Sequence, residues 1–436
     1  MKFYDRKTEL ENLDLTRVRS MENSSFTVLI GRRRIGKTAL LLRSVKNQKH
    51  LYLFVSRNTE PLLCAQFQKE AEAALGLRIF GAISRFRDLF EQLLLFAEKE
   101  HYTLIIDEFQ ELERVNPAIF SDIQNLWDRY KDSIKINFLV CGSIYSMMIR
   151  IFENSKEPLF GRLNSKITLR PFTISVIKKI LGDYNPEYTQ EDMLCLYMLT
   201  GGIPRYIGQL LDAGAVDTGK MLDAIIHPDS PFLNEGKELL ISEFGKEYGT
   251  YFSILQLIAR GMTTQSEVDS VIGKNTGAYL SILEKEYSLI TKNRPLFSKP
   301  ESRNARWKIS DQYLRFWFRF IYPNQSLIET GRSLLLKKLI LKDYETYSGP
   351  VLEDYFRNKI MENSAVSGMG AWWDKKGENE IDIVTLNDLD KTATVIEVKR
   401  NLKKISIPLL ITKAEKIAEK LSGYKIEYKG LSLKDM

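Results

Sequence analysis

Residues 31–38 read Gly31-Arg32-Arg33-Arg34-Ile35-Gly36-Lys37-Thr38, between an apolar run at 26–30 and a helical run at 39–45. No other stretch restricts the fold as much. The first run is apolar and partly β-branched, so the segment calls for a buried strand, a tight loop and a helix in that order. The two glycines let backbone N–H groups turn towards one point, and the start of a helix adds a partial positive charge there. Such a loop holds an anion. The lysine and hydroxyl residue at its end complete the Walker A pattern. In that pattern Lys37 reaches the β- and γ-phosphates of ATP, and the Thr38 hydroxyl ligates Mg²⁺.

Further apolar runs at 51–55, 104–106 and 136–140 alternate with amphipathic stretches such as 86–98 and 120–130. Alternation of this kind predicts an α/β fold, a parallel sheet covered by helices on both faces. Leu104-Ile105-Ile106 ends in Asp107-Glu108, a strand tipped by two acids. Alone that would be an ordinary solvated loop or helix cap. With the upstream loop it reads as a Walker B element, Asp107 holding the Mg²⁺ shell and Glu108 polarising the attacking water. The glutamate argues for hydrolysis over mere binding.

Five segments together carry a resemblance. They are Phe3-Tyr4-Asp5-Arg6 with Glu9-Leu10, the arginine-rich loop, LIIDEFQ at 104–110, PLFGR at 158–162 and TGGIPRYI at 200–207. In this order they resemble the archaeal-type AAA+ ATPase family, related to origin-recognition and signalling ATPases, over roughly the first 310 residues. The resemblance implies that ATP and Mg²⁺ are the cofactors and that Arg6 and Glu9 lie near the adenine end. It makes Arg162 an arginine finger or a γ-phosphate sensor and sets Arg205 in the region of the second sensor. It also puts the strand at 136–140 between the two Walker elements, with Ser143 of Cys141-Gly142-Ser143 at its polar tip. A fixed guanidinium neutralises charge on a transferring phosphoryl group. The other reading of both arginines is a surface or structural role, and of Ser143 an ordinary turn.

From about 171 to 240 the pattern is mostly helical. Beyond it, a helix over roughly 247–260 stops at Gly261, and Thr264 with Glu267 forms a capping-box pattern. A third helix over 276–287 has Asn275 as its expected N-cap. Short strands at 288–292 and 305–309 follow, completing the plan of a winged helix. Between Lys292 and Lys308 six residues are basic (Lys292, Arg294, Lys299, Arg303, Arg306, Lys308) against one acid, Glu301. With Tyr279 and Lys285, this wing is expected to meet a DNA backbone; a protein-binding or spacer role is the alternative.

After an aromatic helix at 313–322, Glu353 sits in an expected helix at 351–360. Glu380-Ile381-Asp382-Ile383-Val384 and Thr394-Val395-Ile396-Glu397-Val398-Lys399 read as strands. Alternation turns Glu397 and Lys399 to one side and Ile396 and Val398 to the core, and sets Asp382 opposite Ile381 and Ile383. The order Glu…Asp…Glu-x-Lys resembles the PD-(D/E)xK nuclease core and the domain of unknown function that follows this ATPase type. That resemblance implies metal ligation by Glu353, Asp382 and Glu397, with Lys399 on the water or phosphate. A proline before the acid is missing. A solvated charged strand face is the other reading.

The chain has 436 residues, which suits several domains. The expected division is an ATPase core at 1–170, a helical lid at 171–245, a winged helix at 246–312 and a nuclease-like domain at 313–436. Hydrophobic residues make up 44% and charged residues 27%, with a net charge of +7, ordinary for a folded protein and compatible with nucleic acid. The start lacks the apolar core of a signal peptide, and no run is long enough for a membrane span. The expectation is a cytoplasmic protein with DNA as partner, no membrane, and a homo-oligomer or protein partner. Cys64, Cys141 and Cys195 lack metal or redox spacing and are expected to be buried thiols.

Overall fold

The computed structural model describes residues 1–79, 81–244, 248–363 and 365–436. The chain divides into two compact units, Asp5–Arg170 and Met1–Tyr4 with Pro171–Met436. Each is described by itself.

In the Asp5–Arg170 unit, β1 (Ser25–Ile30), β2 (His50–Phe54), β3 (Tyr102–Asp107), β4 (Ile136–Cys141) and β5 (Ser165–Thr168) form a sheet in the order β2-β3-β4-β1-β5. Every pairing is parallel. All residues of β1, β3 and β4 are buried, because helices cover both faces of a parallel sheet. Phe26 and Phe138 stack with centroids 4.4 Å apart in the core, and Trp127 and Phe152 close around Phe26. The expected strand at 136–140 lies between β1 and β3. Its register, Leu29↔Cys141 and Ile106↔Val140, brings the carboxyl ends of the three strands level. In open sheets ligands bind at such ends. The helices expected at 86–98 and 120–130 are Phe86–Phe96 and Ile119–Tyr130.

The other unit starts with five helices from Ile174–Tyr184 to Phe232–Phe244. The helix expected over 247–260 is described from Tyr248 to Ala259; position 247, like the expected boundary at 246, lies outside the described residues. Gln265–Ile272 carries the Thr264–Glu267 capping box. Gly277–Lys285 is capped differently from expectation. Thr276 is its N-cap, and Asn275 Oδ1 accepts from the Gly277 N–H at 2.9 Å. β6 (Ile290–Asn293) and β7 (Arg306–Ile309) pair antiparallel.

The loop of this hairpin does not project freely. Leu296 and Phe297, in the loop between β6 and β7, pack against the hydrophobic cluster of the C-terminal sheet, and the Leu296 N–H donates to Ala371 O at 2.7 Å. That sheet consists of β8 (Gly368–Trp373), β9 (Glu380–Asn387), β10 (Thr392–Val398) and β11 (Lys425–Leu431), in the order β11-β10-β9-β8. Only β10 and β11 run parallel, joined through the helix Ile407–Glu415.

The expected helix at 351–360 is the end of a much longer one, Ser333–Met361. Pro350, which at residue level marks a helix start, lies inside it. Beside the proline, Ser348 Oγ donates to Tyr344 O at 2.6 Å and accepts from Arg400 at 2.7 Å, local bonding that steadies an interrupted helical ladder. The expected aromatic helix is Gln312–Phe316 followed by a π-helical turn, Trp317–Ile321. All three cysteines are buried free thiols. Among the described residues, no helix is long and apolar enough to cross a membrane.

Candidate functional site

The loop after β1 has the backbone an anion cradle requires. Arg34 has φ 72° and Gly36 φ 92°, and Gly36 is the N-cap of the helix Lys37–Ser44. Only glycine takes that conformation without steric cost. Gly31 packs against Leu169, and Ile35 is buried. Lys37 is buried, its Nζ donating to Gly31 O (2.8 Å) and Arg32 O (3.0 Å). Arg32, Arg33 and Arg34 are half-buried along the loop. Arg6 donates to Ile35 O at 3.5 Å and to Glu9 at 3.2 Å, so the N-terminal segment touches this loop.

Thr38 Oγ1 donates to Asp107 Oδ2 at 2.7 Å, joining the two motifs. Tyr52 OH donates to the same oxygen at 2.8 Å, and Cys141 Sγ and the Glu108 N–H donate to Oδ1, each at 2.8 Å. Burial and then the charge of Asp107 raise the pKa of both Tyr52 and Cys141, which keeps each a protonated donor. Glu108 has φ 55°, and its Oε2 accepts from Gln110 Nε2 and Ser143 Oγ, both at 2.6 Å. Ser143 therefore stands beside the carboxylate expected to act on water. Tyr52, Cys141 and Gln110 were not among the expected site residues; the one signal was a tyrosine within the apolar run of β2.

Gly142 has no room for a side chain. A Cβ there would collide with Gln110 Oε1 and lie 2.5 Å from Met148 Sδ. Gly142→Ala should displace Gln110 from Glu108, lower turnover and cost about 1–3 kcal/mol of stability. Phosphate release and urea unfolding would check both effects.

The expected arginines fare differently. Arg162 donates to Phe160 O (2.7 Å) and Asp128 (3.2 Å), in a pocket shared with Asn23 and Ser24. Those residues precede β1, whereas the phosphate loop follows it, a separation of roughly 17 Å along the strand. This sets Arg162 near the opposite end of β1 from the phosphate loop. Arg205 is exposed in the first turn of Pro204–Asp212, in the other unit.

In that other unit a cleft of about 880 Å³ lies between the β6–β7 hairpin, the helix Ser333–Met361 and the C-terminal sheet. Glu353, Asp382, Glu397 and Lys399 all line it. Lys399 Nζ lies 3.2 Å from Asp382 and 2.9 Å from Glu397, Lys413 lies 3.2 Å from Glu397, and Arg357 lies 3.3 Å from Glu353. Strict alternation fails at Asp382. Ile381 and Val384, three apart, share one cluster, and Asp382 Oδ2 accepts from the Val398 N–H at 2.7 Å. The expected solvated strand face is likewise absent here, since Asp382 and Glu397 are buried. The expected metal ligands do not fit that role. Among the described residues no group of three or more His, Cys, Asp or Glu could hold a metal ion, and these carboxylates are met by basic side chains instead.

Burial, and then the charge of Asp382, push the Glu353 carboxyl up to about 7. Its ordinary value is about 4.3, so the folded state binds a proton that the unfolded state has lost, and stability falls as pH rises from about 4.3 through 7. Glu353→Gln should raise the unfolding temperature at pH 8 and change it little at pH 5.

Of the six basic residues from Lys292 to Lys308, two are ion-paired among the described residues. Arg306 donates to Glu380 at 2.9 Å and covers the Trp373 ring at 4.6 Å, and Lys308 pairs with Asp354. Arg303 is exposed. On the helix expected to face DNA, Tyr279 is half-buried and Lys285 exposed.

The profile of a family described as "ATPase domain predominantly from Archaea" matches residues 3–210, and that of "Archaea bacterial proteins of unknown function" matches 317–407. The uncharacterized protein MJECL04 of Methanocaldococcus jannaschii is 30% identical over 420 residues, spanning 92% of this chain and 90% of that protein. Among solved structures, the Walker-type ATPase PABY2304 of Pyrococcus abyssi is similar with TM-score 0.55 at 19% identity, covering 72% of this chain and 96% of that one. The ORC2 protein of Aeropyrum pernix has TM-score 0.48 at 16% identity, covering 76% and 96%.

Proposed function

The chain belongs to the family of P-loop ATPases, predominantly archaeal, that continue into a C-terminal domain of unknown function; from this premise we propose that it hydrolyses ATP and uses the nucleotide state to control a nucleic-acid-binding second unit. The observation that carries the ATPase reading is the Thr38–Asp107 hydrogen bond with Glu108 adjacent, steadied by Ser143 and Gln110. The backbone N–H groups of the loop and helix start hold the phosphates. Lys37 leaves the carbonyls of Gly31 and Arg32 for the β- and γ-oxygens. Thr38 and Asp107 would hold Mg²⁺, which neutralises phosphate charge when bound. Glu108 orients the attacking water and accepts its proton, with Ser143 fixing the carboxylate. Arg6 borders the nucleotide, and Arg205 serves as a second sensor. Arg162 would act only on a neighbouring copy's site, as an arginine finger.

The domain division of this reading is a core at 1–170, a lid at 171–245, a winged helix at 246–312 and a nuclease-like domain at 313–436. A helix, three antiparallel strands, a helix and a parallel strand, with Glu353, Asp382, Glu397 and Lys399 lining one cleft, support a nuclease-like fold. Carboxylates already paired with lysine and arginine support binding over cleavage. DNA is the proposed partner, on the strength of the basic cleft. A switch acting through protein partners has its own support in the exposed Leu334, Leu335, Leu339 and Leu341.

One comparison separates the two. Nucleic-acid affinity is measured for the Glu108→Gln protein with ATP, with ADP and without nucleotide. A difference of about 5–150-fold between states is expected, the usual range of coupling between sites. Equal affinity in all three states would favour the protein-partner switch.

A further inference from the structure

We propose that the cleft between the wing and the C-terminal sheet binds a single-stranded phosphodiester chain, an inference that rests on the nucleic-acid reading of the second unit. Ten lysines and arginines line it against four carboxylates. Most of the cations have partners. Lys399 and Lys413 answer Asp382 and Glu397, Arg306 answers Glu380, and Lys308, Arg315 and Arg357 surround Asp354. Three do not. Among the described residues, Arg260, Lys292 and Arg294 have no carboxylate partner, and the buried Arg294 Nε has no hydrogen-bond partner at all.

All three enter the lining from one stretch of chain, Arg260 just after the helix Tyr248–Ala259 and Lys292 and Arg294 in and just after β6. Lys292 Nζ additionally lies 5.3 Å from the centroid of the Trp307 ring, a cation–π contact that supplies no countercharge. Unpaired cations inside a cleft attract a polyanion, and low-dielectric walls strengthen that attraction.

Geometry selects the strand. A winged helix meets duplex by laying its helix in the major groove and its wing along the backbone. Here Leu296 and Phe297 tie the start of the wing loop to the hydrophobic cluster of the C-terminal sheet, so the loop is not free to follow a groove. A cleft of about 880 Å³ matches the ~300–1,000 Å³ of sites that engulf small ligands. A few nucleotides of a flexible strand fit inside such a volume, whereas a duplex is gripped from outside.

The test uses the whole chain and fluorescence anisotropy with three probes: an oligothymidylate of about 12 nucleotides, within the usual span of single-strand sites, a hairpin duplex of equal charge, and the dinucleotide pTpT. Tight binding of the single strand, with duplex and dinucleotide each weaker by tenfold or more, is the expected result. Replacing Arg260, Lys292 and Arg294 together by glutamine should reduce the slope of log affinity against log salt by about 2, since each phosphate contact on a single strand contributes about 0.7. Should that variant fail to fold, Arg260→Gln alone, at an exposed helix end, should reduce the slope by about 0.7. An unchanged slope in the folded variants would overturn the site. Duplex binding with the single strand ignored would overturn the cleft while leaving the nucleic-acid reading intact. Dinucleotide bound as tightly as the oligomer would make this a small-ligand site. Failure to bind any of the three probes would remove both readings.

Discussion

Glu108→Gln is expected to bind ATP about as tightly as the wild type and to hydrolyse it about 10²–10⁴-fold more slowly, the range over which a positioned general base contributes. The amide can keep the hydrogen bond from Ser143 but cannot take a proton from water. Lys37→Ala should lose nucleotide binding altogether, because the loop keeps its shape but no longer carries the charge that meets the phosphates. Calorimetric ATP titration and phosphate release on the two variants separate binding from chemistry. Glu108→Gln turning over at the wild-type rate would remove Glu108 from its role and leave the remaining site in place.

The second large effect concerns stability. Asp354 is buried among three cations, accepting from Lys308, Arg315 (3.2 Å) and Arg357 (3.4 Å), and from Gln312 at 2.9 Å. Burial alone would raise its pKa, but Lys308, Arg315 and Arg357 outweigh it and hold the carboxyl at about 2. Removing one partner from a buried ionic cluster leaves the others uncompensated. Asp354→Asn should therefore cost about 3–5 kcal/mol, read from urea unfolding at pH 7. The folded value lies below the unfolded value of about 3.9. The group's contribution is thus fully present above about pH 4 and is lost as pH falls from 4 towards 2. In the variant that acid-sensitive component should be missing.

What a contiguous run of residues determines was readable from the chain alone. Gly31 to Thr38 states its chemistry in eight positions, and the strand before it and helix after it are needed for the chemistry to work. Asp107-Glu108 was readable because an acid pair ends an apolar strand. The supporting residues were not. Tyr52, Gln110 and Cys141 reach the two acids through strand order, and nothing local in the chain says which strands adjoin β3. The place of Arg162 was hidden for a related reason. The segment PLFGR carries no mark of which end of the sheet it meets, and its partner Asp128 and its neighbour across the pocket, Ser24, are distant in sequence. In the second unit, the β6–β7 hairpin and the helices before it were legible from caps and turns. That the hairpin's loop would pack against a later sheet was not, because Leu296 and Phe297 look like any short apolar loop. Pro350 hid most of a 29-residue helix by resembling the start of one. That Glu397 and Lys399 share a side followed from alternation, but the pairing of Glu397 with Lys413 and of Glu353 with Arg357 depends on helices packed from elsewhere.

The central claim is that the loop at Gly31 and the acids at Asp107 and Glu108 form one site that binds and hydrolyses ATP. The most direct test is phosphate release by the wild-type chain with ATP and Mg²⁺, measured beside calorimetric ATP binding and with Lys37→Ala as the control. Saturable binding, steady phosphate release and loss of both in Lys37→Ala are the results expected. Wild-type protein that binds no ATP, or whose phosphate release persists unchanged in Lys37→Ala, would contradict the account.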